Sequence, residues 1–271
     1  MTPRKACFPA AVLVVLLAMV SPGSGHAVTA TLPASADNTL FEDNASYSGG
    51  ASPSLYVGSI ASGSPRRALL RFDLSGIPPG SVVTAVTVSL TVTKAARRAA
   101  EDDPGRLHRL TAAWGEGASS TIGGAGDVAT PQDATWRHRF YGNPPGVARV
   151  EWNTPGGDFV ATPSAEQNLG LGGPYVFTST PPLVADVQAW VNNPAGNHGW
   201  ILFGSEGTEY TARQLDSREG GTGASRPTLT VEYTLGASPV DENDIPLPGW
   251  ALCLLGAGLA ASLAKRGRST S

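Results

Sequence analysis

Val86, Val88, Leu90 and Val92 alternate with Thr87, Ser89, Thr91 and Thr93. A strict period of two, rich in β-branched residues, predicts a strand with one face in a core and the other in water. Leu229, Val231 and Tyr233 alternate with Thr230, Glu232 and Thr234 in the same way. Trp200-Ile201-Leu202-Phe203, bounded by Gly199 and Gly204, is instead a short continuous apolar run, which predicts a strand covered on both faces. Ala68 to Asp73 leads into the turn Ser75-Gly76-Ile77-Pro78-Pro79-Gly80, and Tyr175-Val176-Phe177 follows a Gly-Gly-Pro turn. One segment changes period: Leu183, Val184, Val187, Trp190 and Val191 fall at helical spacing and end at Asn192-Asn193-Pro194, so a single short helix is expected against the sheet.

Many short strands, frequent turn clusters and almost no helix predict an all-β fold, an antiparallel β-sandwich of the jelly-roll kind. No fixed-period repeat argues for a propeller or β-helix. Gly115 to Gly126 and Asn143 to Gly173 are too long for hairpin turns and read as functional or mobile loops.

Composition agrees with this. Of 271 residues, 33 are Gly and 22 are Pro, about a fifth of the chain against roughly 12% on average. Charged residues make up only 15%, which disfavours long salt-bridged helices and disordered polyelectrolytes. The net charge of -3 hides an asymmetry. Arg4, Lys5, Lys265, Arg266 and Arg268 at the two ends are five of the 19 basic groups, and no acid accompanies them there. The 14 that remain face all 22 acidic groups, so the part between carries -8. Such a surface repels phosphate backbones, and no basic stripe overrides it, so no nucleic-acid partner is expected.

The ends read as addresses. Arg4-Lys5, the apolar run Ala10 to Val20 and a Pro/Gly/Ser stretch ending Gly25-His26-Ala27 form a signal peptide over residues 1–27, cut by signal peptidase after Ala27. Cys7 and Cys253 are the only cysteines, so the domain at 28–236 contains neither a disulfide nor a cysteine nucleophile. Residues 237–244 form an acidic linker. At 245–271, Ile245-Pro246-Leu247-Pro248-Gly249-Trp250 precedes an apolar run to Ala264 and the cluster Lys265-Arg266-Gly267-Arg268. The 15 residues from Trp250 to Ala264 would span about 22 Å as a transmembrane helix, against a hydrocarbon core of roughly 30 Å.

This order of motif, short apolar run and basic cluster resembles the C-terminal sorting signals of exosortase-bearing Gram-negative bacteria, the PEP-CTERM class with its IPTL relatives. The chain reads IPLPGW where the IPTL type has IPTL, a polar pair and Trp. The resemblance implies an inner-membrane intermediate, basic end inside, processed by an exosortase-like enzyme and delivered to the cell surface. A permanent membrane anchor is the alternative.

The domain itself carries Asp37-Asn38-Thr39-Leu40-Phe41-Glu42-Asp43, Leu55-Tyr56-Val57-Gly58, Arg67 to Leu74 followed by Ile77-Pro78, and Leu107 to Leu110 with Trp114-Gly115-Glu116-Gly117. Then come Asp133 to Trp136, Gly156 to Phe159, Val184 to Trp190, and Asp216-Ser217-Arg218-Glu219 before Arg226-Pro227. In this order they resemble the DNRLRE domain family, over roughly Ala34 to Tyr233. The resemblance implies a secreted β-sandwich module, with some relatives binding polysaccharide, and no reaction.

Direct chemical signals are sparse. There is no Gly-x-Ser-x-Gly, no His-Glu-x-x-His and no phosphate loop in the chain, so no catalytic residue is assigned. His108, His138 and His198 are scattered and read as structural or exposed. Glu116, Asp127, Asp133, Asp158 and Glu206 are the loop carboxylates available to a polysaccharide hydrolase or lyase; Glu116 and Asp158, flanked by Gly, equally suit turn hydrogen bonds. No motif requires a cofactor. Calcium is the one to consider, held by Asp37, Asn38 and Asp43 in the acidic first segment, where Asx turns account for the same residues.

For an extracellular polysaccharide, Trp136, Tyr141 and Trp152 would stack on sugar rings, while Arg137 and Arg139, in an otherwise acidic domain, would meet carboxylates or sulfates. Arg66 and Arg71 are further cations, Trp114, Trp136, Trp190 and Trp200 read equally as core, and Arg218-Glu219 as an internal ion pair. The sequence thus favours a non-enzymatic exported surface or matrix protein over the hydrolase or lyase, with a ligand-free structural component as a third reading.

Overall fold

A computed structural model of the chain describes residues 27–142 and 148–235. The strands are β1 (Ala27–Phe41), β2 (Tyr47–Ser48), β3 (Ser54–Ser59), β4 (Pro65–Phe72), β5 (Val82–Ala95), β6 (Pro104–Arg109) and β7 (Asp127–Val128). They continue with β8 (His138–Phe140), β9 (Val150–Glu151), β10 (Ala165–Asn168), β11 (Gly173–Phe177), β12 (Trp200–Phe203), β13 (Arg213–Asp216) and β14 (Thr228–Thr234); the helix α1 (Pro181–Asn192) and a single 3-10 turn at Pro194–Gly196 lie between β11 and β12. The fold is all-β and every strand pairing is antiparallel. The expected signal peptide up to His26, the expected linker 237–244 and the segment 245–271 read as a sorting motif with a transmembrane run lie outside the described residues. Ala27 opens β1, opposite Thr234.

β1 runs through both main sheets. Ala27 to Pro33 pairs with β14, whose other side holds β5, and β5 also pairs with β11 and β13. The register steps between Ala34 and Ala36, and from there to Phe41 the strand pairs with β4, in a sheet continued by β12, β6 and β10. A bulge is the usual device for passing one strand between sheets. Burial along β1 changes at the same point, from alternating to buried throughout from Ala36 to Phe41.

Two apolar layers explain this. Val86, Val88 and Leu90 of the first sheet share a core with Ala68, Leu70, Trp200 and Leu202 of the second, and α1 adds Leu183, Val187, Trp190 and Val191. Trp190 and Trp200 meet edge to face at 4.5 Å between centroids. Leu69 and Ile201, pointing the other way, join Ala36 and Leu40 and are covered by Leu110, Trp114, Ala134 and Trp152. The continuous apolar run at Trp200 therefore reflects cover on both faces, the outer cover coming from the long stretch between β6 and β10. α1 begins where Thr180 accepts a hydrogen bond from the Leu183 amide at 3.2 Å, followed by Pro181 and Pro182, which need no donor partner there.

Candidate functional site

A charged cluster gathers three segments far apart in the chain. Asp37, in the doubly covered half of β1, is fully buried. Its amide donates to Glu116 Oε1 at 2.8 Å and its Oδ2 accepts the Arg218 amide at 2.7 Å. The Arg218 guanidinium forks onto Glu116, Nε to Oε1 at 2.6 Å and Nη2 to Oε2 at 3.0 Å, and its Nε lies 2.8 Å from Glu219 Oε1. One carboxylate oxygen from each of Asp37, Glu116 and Glu219 lies within 4.8 Å of the others. Burial pushes the Asp37 carboxyl well above its ordinary range and raises Glu219 as well, while the bond to Glu116 raises Arg218. Asp37 Oδ1 and Glu219 Oε2 are buried without a hydrogen-bond partner.

Local backbone shape places these groups. Gly117 has φ +72°, and a Cβ there would sit 1.9 Å from Asp133 Oδ1, so the turn after Glu116 demands glycine. The Ser217 hydroxyl donates to Ser52 O at 2.6 Å and accepts from the Glu219 and Gly220 amides at 3.1 and 3.0 Å, which fixes the turn carrying Arg218 and Glu219.

A solvent-open cleft of about 420 Å³ lies nearby, since Pro53 and Ser54, next in the chain after Ser52, line it. Ser54 and Tyr56 of β3, Lys94 of β5 and Gln214 of β13 form its wall, with Ile122 and Gly124 from the loop before β7. Gln214 Nε2 donates to Ser54 Oγ at 2.8 Å. Arg66 Nε donates to Gly124 O at 3.3 Å, and that loop passes so close that a Cβ on Gly124 would lie 3.2 Å from the Tyr56 ring. Lys94 is exposed, Tyr56 half-buried, and Ile122 is 99% exposed. Among the described residues, no Asp, Glu or His lines this cleft.

The residues singled out from sequence are distributed differently from expectation. Asp37, Asn38 and Asp43 do not come together. Asn38 Oδ1 is taken by the Ser48 hydroxyl and the Gly49 amide at 2.9 and 3.1 Å, and Asp43 pairs with Arg66 at 2.8 Å; of the three, only Asp37 joins the acidic cluster. Trp152 and Tyr141 are packed inside, at 4% and 8% exposure, with Trp152 Nε1 donating to Thr135 O at 2.9 Å and Tyr141 Oη accepting from Arg149 at 3.1 Å. That burial leaves those rings little face to offer a sugar. Trp136 is half-buried and covered by the Arg67 guanidinium at 4.6 Å, Arg139 donates to Ala113 O at 3.1 Å, and Arg137 is exposed.

The loop carboxylates have structural partners. Glu206 binds Arg67 through both oxygens at 2.8 and 2.9 Å, and Asp158 accepts the Asn153 and Thr154 amides, each at 2.9 Å. Asp133 Oδ2 accepts from Thr130, and burial raises its carboxyl. Asp127 is exposed and bonds the following amide at 2.7 Å. Two histidines are likewise held by hydrogen bonds, His108 Nδ1 to Val160 O at 2.9 Å and His138 Nδ1 to Thr135 Oγ1 at 3.1 Å, while His198 is half-buried and its backbone carbonyl accepts from Trp114 Nε1.

Sequence reasoning missed Lys94 and Gln214 as cleft residues, and it treated Tyr56 only as part of a motif. Their alternation within strands was the available signal, but nothing local distinguishes a cleft face from an ordinary solvent face. The Arg218–Glu219 ion pair was legible, whereas its union with Asp37 and Glu116 was not. Compared with protein-family models and with curated proteins, the chain matches none.

Proposed function

We propose that this protein is a non-enzymatic, exported surface or extracellular-matrix protein whose jelly-roll domain, of DNRLRE type, contacts polysaccharide through the Tyr56 cleft. Its delivery would use the signal peptide ending at Ala27 and an exosortase-like enzyme acting on the Ile245 to Trp250 motif. The observation that carries the reading is the cleft's chemistry. Among the described residues its lining combines the Tyr56 side chain, amide and hydroxyl groups and the exposed cation Lys94, with no acid or imidazole. Aromatic and polar groups together suit a sugar's mixed surface, and Lys94 suits an acidic one. A general acid and base are what glycoside cleavage would need, and Glu116, Asp133, Asp158 and Glu206 are instead engaged by arginine, hydroxyl or backbone amides.

A glycan array with the purified protein tests this. Binding to an acidic polysaccharide, weakened at least tenfold by Tyr56→Ala and reduced by Lys94→Ala, is expected, with no release of reducing ends or unsaturated sugars. Release of either would favour the hydrolase or lyase.

A further inference from the structure

We propose that Asp37, Glu116 and Glu219 together hold one calcium ion, which fastens β1 to the Glu116 turn and to the turn that carries Arg218 and Glu219. One oxygen from each carboxylate lies within 4.8 Å of the others. Calcium takes oxygens at 2.3–2.6 Å, so two oxygens on opposite sides of one ion stand about 4.6–5.2 Å apart. The observed spacing therefore fits a single shell. The donor set is carboxylate oxygen alone, without sulfur or nitrogen, a hard set that suits calcium better than zinc.

Proximity of acids alone would not make a site; the state of Asp37 adds the second argument. Its side chain is wholly removed from solvent, yet Oδ1 has no hydrogen-bond donor. Buried carboxylate oxygens are ordinarily paired, because an ionised group loses its water without compensation. The Arg218 amide donates to Asp37 Oδ2, and Nε and Nη2 of its guanidinium donate to the two oxygens of Glu116, with Nε also 2.8 Å from Glu219 Oε1. What remains open is Asp37 Oδ1 and Glu219 Oε2. Three carboxylates against one guanidinium also leave two negative charges unbalanced when all are ionised, which is the charge of one divalent cation. The Ser217 hydroxyl ties the same turn to Ser52, beside the Pro53 and Ser54 wall of the cleft, so the ion would brace that wall whether or not the cleft binds a sugar.

The test uses purified protein stripped with a chelator, then titrated with calcium chloride by calorimetry and followed by thermal unfolding. One equivalent of calcium bound, and a Tm raised by several degrees, are expected. Asp37→Asn and Glu219→Gln should each abolish the response, whereas Asp43→Asn should keep it. Glu219→Gln, at the more accessible edge, carries the comparison if Asp37→Asn fails to fold. Absence of heat and of any Tm shift at millimolar calcium would overturn the proposal, leaving a proton shared between carboxylates in the ion's place. A response surviving in Glu219→Gln would overturn the ligand set, and an equal response to magnesium would overturn the assignment to calcium. None of these outcomes depends on polysaccharide binding.

Discussion

Arg67 shows how single residues acquire roles here that their type does not announce. Its guanidinium lies 4.6 Å from the Trp136 ring and 4.3 Å from Phe203, and forks onto Glu206. Planarity matters in this place, because one group must stack on rings and offer two parallel donors at once. Arg67→Lys keeps the charge but loses the fork and the stacking, so chemical denaturation should show a loss of about 1–3 kcal/mol. An unchanged midpoint would mean that Trp136 is held by its other neighbours alone. Asp37 makes the same point from the opposite side. As a residue type it signals a turn or a ligand, and its local neighbours Asn38 and Asp43 are equally acidic or amide-bearing, yet its partners are 79 and 181 positions away in the chain.

At the scale of elements, much of the fold was legible where one face of a segment is wet. β5 and β14 follow their alternating patterns, and α1 buries Leu183, Val187, Trp190 and Val191 at the spacing seen in the sequence. The stretches from Gly115 to Gly126 and from Asn143 to Gly173 were less legible. Among the described residues the first contains no strand and the second only the short β9 and β10 before β11 begins at Gly173, and they contribute cover by loop side chains such as Trp152, for which there is no period to read. The burial of Trp152 and Tyr141 was not legible for the same reason: an aromatic in an irregular segment has no period from which its cover can be read. α1 supplies an element-scale prediction. Thr180 caps it and also donates through Oγ1 to Ser164 O, so Thr180→Ala should lower stability by about 1–2 kcal/mol in the same denaturation measurement. A neutral substitution would show that Pro181 and Pro182 suffice to start the helix.

For the whole molecule, buried ionisable groups divide into two sets with opposite pH dependence. Burial lowers His108, His138 and His198. As pH falls below about 6.5 the unfolded chain takes up protons that these side chains resist in the fold. Their stabilising contribution is present above that value and is lost as pH falls through the folded pKa. Asp133 and Asp186 are raised by burial, so their contribution is present at low pH and lost as pH rises through their folded values. The histidine part is therefore read by difference. The stability gap between the wild type and His108→Gln should narrow between about pH 7.5 and pH 5, and a gap constant across that range would contradict the assignment. At this scale too, an acidic cysteine-free β domain was legible from composition, but the cleft was not, because β3, β5, β13 and the loop at Ile122 meet only in the folded molecule. Polysaccharide contact at that cleft is tested most directly by the affinity of the purified wild type and Tyr56→Ala for an acidic polysaccharide. Binding by the wild type and at least tenfold weaker binding by Tyr56→Ala, at equal thermal stability, is the predicted result; no binding by the wild type to any acidic or neutral glycan, or equal binding by both proteins, would contradict it.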